Sequence, residues 1–599
     1  MNCIMLRTTM ILFFVLSNTC FSEEIDKARY LLNEQLSMPD NKDIKTHVKV
    51  LERTNKFTLV DKDEKSRQLE VNKNDKEKGY VLFVRDYTKE IYYNTIPQKE
   101  ELKNNINIFV TLGESEPFAV GVYPLKDLQG VEAVVEDFEN EKGDKILKKN
   151  IDVRWVRYMA RAVDLFVYMM APEAMEKFSA VDIKNGITTS FWFIVKIPED
   201  AKGGMYKGRI SIITADRKSS SIEVSLNVLP FKLNDTGAKF GWYYHEPEDE
   251  SKLKEELKDM KEHGINALCG KAPRITKVTG NSVELDFSGV KKFIGICKSE
   301  EIEVVEGNVG EFVGDLKRLG IKELSSSFSA PFKDAVAKTH KWMMENGNPN
   351  YIFDVFDEPR EQGLNDWNRN MADTIKYLEL CREIPGVKTE VIIMADTNSD
   401  KDYTRMVPFL DVVNTHQWPK SKGLMQKAKE LGKSIWTNNN GFGRASWGFC
   451  LWRAGITGRW QYAYYGFKKT DKPFSPVRMM SDAPGKSNAR VSYSATRGII
   501  PSIKYEWVRE GIDDYKYIIT LESLINDLSL NKSAKESLEK AKRVLDKIHK
   551  EIPYYPPTGL VTGTESGEGG GEGDLSGSLD GLRWDVAQSI LELQNYIKK

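Results

Sequence analysis

Two carboxylates stand side by side at Asp357-Glu358, at the end of the run Tyr351-Ile352-Phe353-Asp354-Val355-Phe356-Asp357-Glu358-Pro359. The run is apolar and aromatic, which reads as a buried strand, and Pro359 blocks further strand pairing. In α/β folds chemistry gathers at the carboxyl ends of strands, so an acid pair there is a candidate for general acid/base work. A plainer reading stands beside it. Asp-Glu pairs are common in a chain that is 29% charged, and Asp63-Glu64, in a lysine-rich stretch, is another with no chemical content. Successive strand residues point to opposite faces. Both carboxylates can therefore serve one site only at a frayed strand end or a bulge.

The elements that would position the pair alternate between strand and helix from about residue 237. Strand-like runs are Phe240–Tyr244, Ile265–Leu268, Ile302–Val305, the acid-pair run, Thr389–Met394, Val412–Thr415, Ser434–Thr437 and Ile456–Trp460. Leu253, Leu257 and Met260 lie at helical spacing, and Gly264 closes that helix. Eight strands separated by helical segments predict a (β/α)8 barrel over 237–525. The pattern is weakest between 270 and 350.

The predicted strand ends supply the other candidate site residues. Tyr243, Tyr244, His245 and Glu246 follow the first strand, and Glu306 the third. Asp396 follows the fifth, and His416, Gln417 and Trp418 the sixth. Trp436 and then Asn438, Asn439 and Asn440 mark the seventh; Trp460, Tyr462, Tyr464 and Tyr465 mark the eighth. Aromatic faces stack on sugar rings and amides bond hydroxyls. Tyr243, His416, Trp436, Asn438, Trp460, Tyr462 and Tyr464 are thus taken as candidate substrate contacts, although rim packing explains an aromatic residue equally simply.

Residues 23–236 read differently. Residues 23–100 are rich in Lys, Asp and Glu with short apolar runs, Tyr80–Val84 being the clearest strand. Ile106, Ile108 and Val110, and then Ile222, Val224, Leu226 and Val228, alternate with polar residues. Val120–Tyr123 and Phe191–Val195 are further strands. This predicts an N-terminal β-sandwich region whose aromatic residues form core. Residues 526–599 read as C-terminal helices around a Gly/Glu linker at 563–574. The last helix carries Leu582, Val586, Ile590, Leu593 and Ile597 on one face and should pack back on the body.

Bulk properties exclude several classes. Among 599 residues, 87 basic and 88 acidic side chains nearly cancel, and no basic patch suggests nucleic acid. Four cysteines beyond the first 22 residues are far apart and lack CxxC spacing, and six scattered histidines form no HExxH, so no metal or other cofactor is expected. Residues 1–22, with Arg7 and the apolar run Met10–Leu16, read as a secretory signal peptide. Cys20 raises lipid attachment, for which Ser17-Asn18-Thr19 is a poor lead-in. No run is long enough to span a membrane. The expected location is therefore secreted or periplasmic.

A retaining glycosidase of the usual kind pairs its acid/base with a carboxylate nucleophile about 5–5.5 Å away. Such barrels often carry that second acid on the seventh strand, but here the strand ends in asparagines. This favours a reaction in which the substrate's own 2-acetamido oxygen is the nucleophile, served by one acid/base and one adjacent carboxylate. Two alternatives stay open: a two-carboxylate glycosidase pairing Glu358 with Asp396, Glu306 or Glu246, and a non-catalytic carbohydrate-binding surface protein.

The Phe353–Pro359 run resembles the Asp-Glu strand of glycoside hydrolase family 123. Pro501-Ser502-Ile503-Lys504-Tyr505-Glu506-Trp507-Val508-Arg509-Glu510-Gly511-Ile512-Asp513-Asp514-Tyr515 is similar to the family's "SIRxExLREGIxDY" stretch. Gly113–Pro117 and Val195–Gly208 are similar to its N-terminal sandwich. The resemblance implies a β-N-acetylgalactosaminidase-like enzyme that removes a terminal β-linked N-acetylhexosamine from a glycan, retaining configuration through an oxazolinium ion. It further implies that Asp357 orients the acetamido group and Glu358 is the acid/base. Ser481-Asp482 and Val491–Ser494 match the family's Gly-Asp and "FLVYPG" loop only loosely, which bears on the choice of sugar. Glu506, Arg509 and Glu510 have a structural alternative, pinning their helix to the barrel.

Overall fold

Alternation over residues 105–229 produces two packed sheets. One has six strands, among them Tyr80–Arg85, Ser115–Pro124, Ile151–Asp164 and Thr189–Lys196. The other has seven, among them Asn105–Thr111, Gly204–Ile213 and Ser219–Leu229. Ile222, Val224, Leu226 and Val228 point inward, as their period of two demands, and share a core with Val120, Phe191 and Phe193 of the facing sheet. Phe118 stacks on Phe193 with ring centroids 4.9 Å apart.

The charged N-terminal stretch folds into the helices Phe21–Ser37 and Lys42–Arg53. Their charges mask a four-residue spacing: Ala28, Leu32 and Leu36 form one buried stripe, packed with Val48, Tyr158 and Tyr168.

The second half closes a parallel barrel of eight strands in sequence order. They are Lys239–Tyr243, Ala267–Gly270, Glu303–Asn308, Ile352–Asp357, Lys388–Met394, Val412–His416, Ser434–Asn438 and Gly458–Tyr462. All eight expected strands form, each within a few residues of its predicted place. The first helix, Glu250–Glu262, is capped by the Asp249 side chain and buries Leu253, Leu257 and Met260. The ambiguous stretch contains a hairpin, Arg274–Thr279 with Ser282–Asp286, and the helices Ser288–Ser299, Gly310–Arg318 and Ser329–Glu345.

After the eighth strand come the helices Ile503–Asp527, Lys535–Glu551 and Ser576–Gln594. Arg583 of the last bonds Glu510 Oε2 at 2.8 Å and Asp514 Oδ1 at 2.5 Å, and Arg444 holds Asp514 Oδ2 at 2.7 Å. All four side chains are buried. A Cβ on Gly511 would lie 2.4 Å from the Arg444 carbonyl oxygen, so the helix approaches its neighbour backbone to backbone. Glu510, Gly511 and Asp514 of the signature stretch are thus structural: they fasten helices.

These coordinates, a computed structural model, describe residues 21–37, 42–54, 57–61, 69–164, 167–359, 370–394, 403–416, 418–419, 421–465, 491–495, 498–555 and 576–597. Residues 1–20 of the expected signal peptide, Asp396, Gln417, Ser481-Asp482 and the expected linker at 563–574 lie outside them. The chain separates into two compact units. One comprises Met1–Asn234, Thr470–Glu506 and Thr564–Asp580; the other comprises Asp235–Lys469, Trp507–Gly563 and Gly581–Lys599. No helix among the described residues is long and apolar enough to cross a membrane.

Candidate active site

The acid pair sits on the irregularity that the alternation argument requires. Asp354 pairs with Glu390 on the fifth strand, but the next pairing is Asp357 with Ile392, so the fourth strand holds one extra residue. Glu358 then takes φ +46°, a left-handed conformation that costs a Cβ-bearing residue about 1–2 kcal/mol. Its N–H donates to the Ile392 carbonyl oxygen at 3.0 Å, which holds the turned residue against the fifth strand. Bulge and turn together free the two carboxylates from strict alternation.

Asp357 is exposed at the strand end. Protein packed around it nevertheless raises its pKa to about 6, with burial the largest cause and the Glu358 charge adding to it. Glu358 pairs with His416: its Oε1 meets Nδ1 of the imidazole. His416 Nδ1 also lies 3.0 Å from Met394 Sδ, and Nε2 lies 3.2 Å from Asn439 Nδ2. Expected as a substrate contact, His416 is thus found on the second carboxylate.

Below the pair the barrel interior is unusually acidic. Glu306 on the third strand, Asp354 on the fourth and Glu390 on the fifth all have raised pKa values, with burial the first cause in each. Cys269 donates to Glu306 Oε1 at 2.5 Å, Asn308 to Asp354 Oδ2 at 2.7 Å, and Asn414 to Glu390 Oε2 at 3.2 Å. As two ionised acceptors, Glu306 and Glu390 would leave Oε2 and Oε1 respectively without a donor among the described residues. A proton kept by Glu390, which Glu306 pushes further upward, supplies the missing hydrogen bond. No group of three or more His, Cys, Asp or Glu side chains suited to a metal occurs among the described residues.

The remaining candidates divide. Asn438 donates to the Tyr243 hydroxyl at 3.3 Å and the Tyr243 ring leans on Tyr462 at 6.3 Å, so these three gather at the strand ends, while Trp460 backs the Tyr243 ring at 6.0 Å. Trp436 and Trp460 lie inside the barrel, 4% and 0% exposed, tilted against each other at 5.7 Å. Each occupies space opened by a glycine beside it in the sheet: Gly458 pairs with Trp436 and Gly241 with Trp460. Their indoles therefore fill core. Tyr464 is also buried; its hydroxyl donates to Asp259 Oδ2 at 2.6 Å on the first helix, away from the pair. Of the alternative partner carboxylates, Glu306 belongs to the interior cluster and Glu246 bonds Lys271.

The sequence reading missed Asp354, Glu390 and the role of Asn439. A signal for the first two was present: each is an acid inside an otherwise apolar strand, where an inward-facing position needs a partner.

Comparison with known proteins bears on this arrangement. Residues 88–214 match the glycoside hydrolase 123 N-terminal domain. A family 123 glycoside hydrolase from Clostridium perfringens, solved to detail glycolipid glycan hydrolysis, superposes with a TM-score of 0.62 at 14% identity, covering 87% of this chain and 99% of its own. A family 39 glycoside hydrolase from the gut symbiont Bacteroides cellulosilyticus WH2 reaches a TM-score of only 0.30 at 12% identity, over 64% of this chain and 81% of its own. No curated protein matches by sequence. Residues 88–214 are thus the N-terminal domain of glycoside hydrolase family 123, and the sandwich, barrel and C-terminal helices have the fold of the Clostridium perfringens family 123 enzyme.

Proposed function

We propose that this glycoside hydrolase removes a terminal β-linked N-acetylhexosamine, N-acetylgalactosamine in particular, by substrate-assisted retaining catalysis. The observation that carries the reading is the extra residue before Asp357 together with the left-handed Glu358, which brings two adjacent carboxylates to one strand end. The seventh strand meanwhile ends in Asn438, engaged with Tyr243. In this reaction Glu358 protonates the leaving oxygen. Asp357 accepts the acetamido N–H, aims the acetamido oxygen at the anomeric carbon and balances the positive charge of the oxazolinium ion. Water then opens the ring with Glu358 as base.

The experiment compares an aryl 2-acetamido-β-glycoside with its 2-hydroxyl counterpart at the same leaving group. Only the former should turn over appreciably, and a thiazoline mimic of the intermediate should inhibit. Equal rates, or a glycosyl ester trapped on an enzyme carboxylate, would replace this reading with the two-carboxylate one. The galacto and gluco epimers decide the sugar. Because the Clostridium perfringens enzyme was studied for glycolipid glycan hydrolysis, glycolipid glycans are the natural substrates to test first. Export through residues 1–22 completes the proposal; sequencing the N-terminus of protein recovered outside the cytoplasm tests it.

A further inference from the structure

Asn439, at the turn after the seventh strand, has φ +53°, a conformation asparagine tolerates well. The Tyr462 backbone N–H donates to its Oδ1 at 2.9 Å. A backbone N–H can only donate, so this contact fixes which end of the amide is oxygen. The amide nitrogen then faces His416 Nε2 at 3.2 Å and can only donate to it. Nε2 therefore holds a lone pair, and the neutral imidazole carries its proton on Nδ1. Among the described residues, the neighbours of Nδ1 are Glu358 Oε1 and Met394 Sδ, both acceptors. One tautomer satisfies every contact of the ring.

We propose that His416 is a positioning residue, locked as the Nδ1–H tautomer by Asn439, that keeps Glu358 Oε1 as an acceptor so that the catalytic proton travels on Oε2. This rests on the reading of Glu358 as acid/base. In the first step the Oε2–H bond breaks and its proton goes to the leaving oxygen, as the glycosidic bond breaks and the acetamido oxygen bonds the anomeric carbon. In the second step water bonds that carbon, its proton returns to Oε2, and the acetamido oxygen leaves with its electron pair. His416 donates to Oε1 throughout and its own protonation does not change. Among the described residues, Asp357 beside Glu358, and Asp354, Glu390 and Tyr243, whose charges couple with Asp357, are the other titratable groups around this site.

The test uses the whole chain and two variants. His416→Leu removes the donor; His416→Asn keeps an N–H near the Nδ1 position. With a sugar leaving group, which needs protonation, His416→Leu should lower kcat on the order of 100-fold with KM little changed. With a dinitrophenyl leaving group the loss should be small, and His416→Asn should recover much of the sugar-leaving-group rate. An equal loss for both leaving groups, or an effect confined to KM, overturns the proposal. Independently of any variant's activity, ¹⁵N spectra of histidine-labelled wild-type protein should show the His416 ring as Nδ1–H; an Nε2–H ring overturns it. Glu358→Gln separates the two layers. Full activity in that variant sinks the acid/base reading, whereas an inactive Glu358→Gln with a leaving-group-independent His416→Leu sinks this inference alone.

Discussion

Glu358, from the end of the fourth barrel strand, meets His416, from the end of the sixth, Oε1 to Nδ1. The contact bridges over the fifth strand, whose Ile392 carbonyl holds the Glu358 N–H and whose Met394 touches the same imidazole. Three strand ends thus converge on one carboxylate, while the neighbouring Asp357 stays open to solvent.

Glu358→Gln should cut turnover of a sugar-leaving-group substrate by about 10²–10⁴-fold while leaving the fold intact. The amide keeps an acceptor for His416 but has no transferable acid proton. Activity measurements paired with thermal scans check this. A variant near wild-type rate on a natural disaccharide would take Glu358 out of the chemistry.

Asp357 must be ionised to accept the acetamido N–H, and its pKa is raised to about 6. The sign follows: kcat/KM should fall as pH drops through about 6, because protonation removes the acceptor. Asp357→Asn should lose turnover by orders of magnitude, and its residual activity should lack that acidic limb. The same limb persisting in the variant would assign it to another group.

The interior acids govern stability in the opposite pH direction from ordinary surface carboxylates. Glu306, Asp354 and Glu390 have folded-state pKa values raised above an unfolded value of about 4. Their contribution is therefore complete below about 4 and is lost as pH rises through the folded values. Glu390→Gln, a neutral isostere, should flatten the decline of Tm between mild acid and alkaline pH. Parallel Tm curves for wild type and variant would contradict a protonated Glu390.

The helix fastening around Asp514 should be sensitive to single changes. Arg583→Ala leaves Glu510 and Asp514 buried with less compensation and should cost about 3–5 kcal/mol. Gly511→Ala sets a methyl against a backbone oxygen and should cost about 1–3 kcal/mol. A lowered Tm with the leaving-group pattern of turnover unchanged is expected for both. A changed leaving-group pattern would connect this region to the chemistry.

Much of this was legible in the sequence, for identifiable reasons. The barrel strands are apolar because both their faces are buried, so their runs stand out from the charged helices. The acid pair was visible because Pro359 ends the run behind it. The need for an irregularity there followed from strand alternation alone, and the register shift between Asp354 and Asp357 provides it. What stayed hidden depended on direction. An aromatic residue at a strand end reads the same whether it faces sugar or core, so Trp436, Trp460 and Tyr464 could not be told from Tyr243. The clue lay in the neighbouring strands, where Gly458 and Gly241 make room for the two indoles. The part played by Asn439 rests on which end of an amide faces a ring nitrogen, and no residue pattern encodes that.

The left-handed Glu358 sets two selections against each other. Glycine adopts φ +46° without a Cβ penalty and asparagine with a small one, so either would relax the backbone by about 1 kcal/mol. A mutant library sorted for protease resistance should enrich glycine and asparagine at position 358. The same library sorted for turnover should return glutamate. Few positions in the barrel should split so cleanly between the two screens, which makes the conflict itself a marker for where this chain gives up stability in favour of chemistry.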